Sequence, residues 1–130
     1  MKTIIILIAA FIFTSTATAQ NNVTLNKVNI EKNANGAAIT WSTSAESNTS
    51  QFEVELSFDN KSFETIRTIA ASETTKWATN YETKFKRTYL SEGKVYYRVK
   101  TVFVDGTSTV SDAISLEVAT ANGISYATIN

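Results

Sequence analysis

The 130 residues carry 12 Lys and Arg against 12 Asp and Glu, with no His and no Cys. One domain is the natural capacity of this length, and a balanced charge gives no electrostatic reason for nucleic acid or an anionic membrane as partner. Without imidazole or thiolate there is no hydrolytic triad, zinc site or redox pair, which leaves carboxylate chemistry, a Ser–Lys pair or an all-oxygen calcium site.

The first segment reads as an export signal. Lys2 supplies its positive start, Ile4 to Phe13 is unbroken apolar sequence, and Ala17-Thr18-Ala19 is a small-residue cleavage site. The apolar run is about half of the roughly 20 residues that a membrane span needs. Cleavage after Ala19 is therefore predicted, with no membrane span afterwards. The absence of Cys excludes a lipid-anchored start. Losing Lys2 leaves 11 basic against 12 acidic residues, a net charge of −1. An exported domain without disulfides has to be held by its core.

From Val23 onward the signals are those of strands. Val23 to Ile30 forms a first strand with a break near Asn26, and Asn35-Gly36 is a hairpin signal. Ala37 to Ser42 follows, with Ile39 and Trp41 on one face, and polar Ser44 to Ser50 reads as a loop. In Gln51 to Phe58 the apolar Phe52, Val54, Leu56 and Phe58 alternate with Glu53, Glu55 and Ser57, giving one apolar and one wet face. Asp59-Asn60 turns the chain into a strand over Ser62 to Ile69, and Ala70 to Lys76 connects onward. Trp77, Thr79, Tyr81, Thr83 and Phe85 then alternate across another strand, or two short ones, and Val95, Tyr97, Val99, Thr101 and Phe103 share one face of the next. Asp105-Gly106 turns that strand back into Thr107 to Val118, with Val110, Ile114, Leu116 and Val118 as its inward residues. Residues 119–130 are small and polar and read as a C-terminal tail.

About seven short strands joined by tight turns, with no helical period, define an all-β, immunoglobulin-like two-sheet sandwich over residues 20–118. A closed barrel is the competing architecture.

Several stretches carry a family likeness. They are Ile39-Thr40-Trp41-Ser42-Thr43 with Glu46 and Asn48, Phe52-Glu53-Val54-Glu55 with Asp59, Phe63-Glu64-Thr65-Ile66, and Tyr96-Tyr97-Arg98-Val99-Lys100 with Asp105-Gly106. In order and spacing they resemble the fibronectin type III-like domains of secreted Bacteroidetes proteins, which often precede a type IX secretion sorting domain. The resemblance implies a secreted or periplasmic module and specifies no function. No sorting domain follows here. The tyrosine corner of such folds falls on Val95 by alignment on Arg98-Val99 and on Tyr96 by counting from Leu90. Leu56 and Phe58 stand where the family pattern prefers polar residues.

No catalytic, metal or cofactor residues emerge. Glu53 and Glu55, two apart on a wet face, make a poor catalytic pair, since such carboxylates need a cleft and unlike environments. Asp105 and Asp112 could face each other across a hairpin, yet calcium wants six or more oxygens. Trp41 reads as core, and Glu46 and Asn48 as residues that shape a loop. Trp77, Tyr81, Tyr89, Tyr96 and Tyr126 are aromatics that would be either buried between sheets or available to a ligand. The candidate interface is Leu56 and Phe58, with Trp77 as a neighbour. The expected function is a non-enzymatic exported module contacting an envelope or secreted protein. The alternatives are a carbohydrate-binding accessory domain with a polysaccharide partner, and a small glycoside-acting enzyme using Glu and Asp.

Overall fold

The computed structural model describes residues 21–33, 36–72, 76–86, 93–121 and 124–129. The export signal with its Ala19 cleavage site, Asn35, Tyr89 and Leu90 lie outside the described residues, as do the side chains of Val118 and Tyr126.

Nine strands occupy the described residues: β1 (Asn22–Asn33), β2 (Gly36–Ser47), β3 (Thr49–Ser57), β4 (Glu64–Ala70), β5 (Thr79–Lys86), β6 (Gly93–Phe103), β7 (Ser108–Val110), β8 (Ile114–Ala121) and β9 (Ile124–Ile129). One sheet has the order β1-β2-β5, and the other β4-β3-β6-β8-β9 with β7 also paired to β6. Every pairing is antiparallel. This is the immunoglobulin-like sandwich read from the sequence.

The core lies between the sheets. Trp41 of β2 meets Phe52 of β3 edge-on at 5.8 Å and stacks on Tyr81 of β5 at 5.4 Å. Phe85 stacks on Tyr97 at 5.2 Å, which joins β5 to β6. Around them Ile30, Ile39, Val54, Val95, Val99 and Leu116 are fully buried. Each such side chain contributes about 1.5–3 kcal/mol by leaving water. In β6 the alternation is regular: Val95, Tyr97, Val99, Thr101 and Phe103 point inward. Of the two readings of the tyrosine-corner register, Val95 lies on the inner face and Tyr96 sits half-buried on the outer face.

Four local readings change. The loop expected over Ser44 to Ser50 shrinks to Asn48, because β2 runs on to Ser47 and Asn48 takes a left-handed φ of 56°. The expected strand over Thr107 to Val118 is broken into β7 and β8, and Val110 is exposed instead of inward. The break is made by Ser111, whose Oγ accepts the Val99 N–H at 3.0 Å in place of a backbone carbonyl. The stretch read as a tail carries β9, paired with β8 from Ala121↔Ile124 to Leu116↔Ile129. The first hairpin closes on Asn33↔Gly36, so Gly36 opens β2 instead of forming the turn. The predicted break in β1 is present: its register slips at two places, and Lys27, within the second, takes a left-handed φ of 48°.

Candidate binding surface at the loop pole

Antiparallel order sorts the connections onto two ends of the sandwich. Asn48 between β2 and β3, residues 71–72 and 76–78 between β4 and β5, and residues 104–107 between β6 and β7 share one end, the loop pole. The β3–β4 turn, residues 58–63, lies at the other. The predicted interface therefore does not assemble. Phe58 and Trp77 are separated by the length of the β3–β4 ladder, which runs from Leu56↔Glu64 to Gln51↔Ala70 and so spans about 17 Å at ~3.3 Å per residue.

Leu56 is a core residue at 5 % exposure, and Phe58, two positions on, is 61 % exposed. Alternation holds to the end of β3 and stops there, because the chain turns away at Asp59. That turn is fixed by the Asp59 carboxylate, whose Oδ1 accepts from Ser57 Oγ, Lys61 N–H and Ser62 N–H at 2.8 Å each. The backbone donors at Ser62 and Lys61 hold the Asp59 pKa down to about 2. The stripe should accordingly split under mutation. Leu56→Ala is expected to cost about 2–5 kcal/mol and Phe58→Ser less than ~0.5 kcal/mol. Urea melts of the two variants give the comparison, and equal losses would refute the placement.

The wet face of β3 is also partly covered. Arg98 Nε binds Glu55 Oε2 at 2.6 Å while its guanidinium lies 3.8 Å from the Phe63 ring centre, which leaves Glu55 6 % exposed. Lys100 Nζ donates to Glu53 at 3.0 Å and reaches Glu55 at 4.0 Å. The Lys100 hydrogen bond lowers the Glu53 pKa, against an opposing effect of burial. These two carboxylates are cross-strand ion-pair partners of β6, an arrangement that strengthens a sheet. Among the described residues no group of three or more Asp, Glu, His or Cys could hold a metal. Asp105 and Asp112 lie beyond opposite ends of β7. Asp105 is occupied by Asn21 Nδ2 at 2.6 Å and by Thr107 N–H and Oγ at 2.9 and 2.6 Å, and the Thr107 bonds lower its pKa.

The loop pole carries two further large exposed apolar groups. Trp77 is 81 % exposed and Val104 73 %. By sequence alternation Trp77 shares the inner face with Tyr81, but β5 starts only at Thr79, and Trp77 precedes the point where pairing imposes a face. Val104 had no signal except its place before Asp105-Gly106. The hairpin there has a three-residue loop, in which Gly106 takes φ 84° and donates its N–H to the Phe103 carbonyl at 3.0 Å. A left-handed glycine at that position is what such a loop requires.

Main-chain bonds join two of the connections and fasten the third to β3. Val104 N–H donates to Asn48 O at 2.8 Å, and Ala71 N–H to Ser50 O at 3.1 Å. Beneath them sits Glu46, 1 % exposed, which accepts from Thr43 Oγ1 at 2.7 Å and from the Tyr81 hydroxyl at 2.8 Å. Tyr81 in turn accepts Ser72 N–H at 2.9 Å. A buried carboxylate that accepts two hydroxyl donors thus pins the start of the β4–β5 connection onto β2 and β5. The loop-shaping reading of Glu46 has its physical content in these bonds. Neither a family model, nor a curated protein, nor a solved structure matches this chain.

Proposed function

We propose that this chain is an exported, non-enzymatic, fibronectin type III-like module of the kind found in secreted Bacteroidetes proteins, and that it contacts a protein partner at the cell envelope through its loop pole. The observation carrying this reading is Trp77, a large aromatic 81 % exposed at the end of the sandwich where the connections are fastened by hydrogen bonds. Aromatic anchors dominate interface energetics. Val104 adds apolar area at the same pole. Loops held on a rigid scaffold are also where binding residues concentrate.

The test compares a Trp77→Ala, Val104→Ser double variant with Phe58→Ser, an exposed apolar change at the opposite pole. Each is expressed in the native host and cross-linked to its envelope neighbours. Loss of a specific adduct in the pole variant alone supports the reading, and equal capture by both variants removes it. A polysaccharide that shifts Trp77 fluorescence, and binds the wild type but not Trp77→Ala, would move the assignment to carbohydrate binding.

A further inference from the structure

The outer face of the three-stranded sheet is a trough. Its floor is the central strand β2, where the outward Ala38, Thr40 and Ser42 are all small, although alanine is a poor strand former. The flanking strands set longer polar side chains beside them. Ala38 lies between Glu31 and Lys84, Thr40 between Asn29 and Glu82, and Ser42 between Asn26 and Asn80. Each wall is stitched along its own strand: Asn29 Nδ2 donates to Glu31 at 3.2 Å, and Lys84 Nζ binds Glu82 at 3.0 Å. From Gly36, opposite Lys86, to Ser42 the trough is about 20 Å long, with walls about 10 Å apart. The outer face of the other sheet has none, because Glu53 and Glu55 of β3 cover it in ion pairs with Lys100 and Arg98 of β6.

Two depressions lie along the trough and share Glu82. One contains Thr40, Ser42 and Asn80. The other contains Ala38, Lys84 and Lys86, together with Arg67, which reaches it from β4 of the other sheet. Charge is balanced over the chain but not here: Lys32, Arg67, Lys84 and Lys86 outnumber Glu31 and Glu82 around this second depression.

We infer that the trough binds a polysaccharide strand bearing carboxylate or sulfate groups. The basic end attracts the acidic substituents. Further along, the Asn80 carboxamide and the Thr40 hydroxyl each donate and accept, as sugar hydroxyls do. A protein partner fits less well, because interfaces centre on large aromatic and apolar anchors. Among the described residues the exposed ones are Phe58, Trp77, Val104 and Val110, all outside the trough. Nucleic acid would set its phosphates against Glu31 and Glu82. The contacts are exposed, so binding is weak and falls with added salt. The site is independent of the loop pole.

NMR titration of the chain after signal removal tests this, with oligomers of alginate for carboxylate and dextran sulfate for sulfate. Amide shifts should move at Ala38, Thr40, Asn80 and Lys84 with at least one of the two, and much less with uncharged dextran. The Arg67→Glu, Lys86→Glu double variant should bind at least ~10-fold more weakly. The same charge change at Lys61 and Lys76, in the β3–β4 turn and at the loop pole, should leave binding nearly intact. Thr40→Gln, which fills the trough, should abolish the shifts, and if it disturbs folding the charge variants alone decide. Absence of shifts with both acidic polymers overturns the inference. So does equal binding of uncharged dextran or of polyglutamate, or an equal loss in the Lys61 and Lys76 control.

Discussion

Trp41→Ala is expected to destabilise the domain by about 3–5 kcal/mol, the range for truncating a buried aromatic. Trp41 is 2 % exposed and touches both sheets, through Phe52 on one side and the Tyr81 stack on the other. Removing it opens a cavity at the place where β2, β3 and β5 converge, and Phe52 and Tyr81 are already in contact at 4.8 Å and have little room to collapse further. A domain with only about 5–15 kcal/mol in total would lose a large part of its stability. Trp41→Phe should be far milder, about 1 kcal/mol, because it keeps a ring against Tyr81 and removes an indole N–H that is buried with no hydrogen-bond partner. Urea unfolding followed by far-UV circular dichroism separates the two. A loss below ~1 kcal/mol for the alanine variant would mean that the β2 register is wrong.

The elements whose residues alternate against a buried neighbour were legible from sequence. Phe52, Val54 and Leu56 in β3, and Val95 to Phe103 in β6, point inward because a one-residue slip would turn the whole apolar row to water. Legibility ended where alternation runs past the pairing. Phe58 and Trp77 continue their rows by count, but each lies beyond the last paired residue, where no sheet imposes a face. The assignment of Leu56, Phe58 and Trp77 to one surface failed for a second reason. It needed the spatial order of the strands, and only topology places residues 58 and 77 at opposite poles. Val110 illustrates a third limit, since its exposure follows from a pairing register that sets it opposite Lys100 on the outer face of β6, one residue out of step with the register of β8. In β9 the four strand-formers among six residues were present in the sequence, but the small polar residues around them, Ala119 to Gly123, hid the pairing.

Glu46→Ala should cost about 3 kcal/mol, an effect that composition alone would assign to no glutamate. Its carboxylate takes the Thr43 and Tyr81 hydroxyls, and truncation removes that acceptor from both, leaving Thr43 only a long bond to the Thr79 carbonyl at 3.4 Å, at about 1–3 kcal/mol for a buried orphan. Glu46→Gln should lose about 1 kcal/mol or less, because a side-chain carbonyl of the same reach still accepts. A glutamine variant as damaging as alanine would show that charge, not acceptance, is what the site uses. Tyr81 supplies an independent readout. Burial raises its pKa, with Glu46 adding to the effect and the Ser72 bonds opposing it. A hydroxyl whose folded pKa lies above its unfolded value contributes stability that is complete below about pH 10. That contribution fades as the pH climbs through the raised value. Alkaline unfolding should thus begin above the ordinary tyrosine range, and Tyr81→Phe should blunt its pH dependence, with Tyr97, also raised by burial, carrying the remainder. Loss of the Tyr81 hydroxyl also leaves Ser72 N–H without its acceptor. Amide exchange at Ser72 should accelerate in Tyr81→Phe while exchange in β6 stays slow, and unchanged protection at Ser72 would detach the β4–β5 connection from this network.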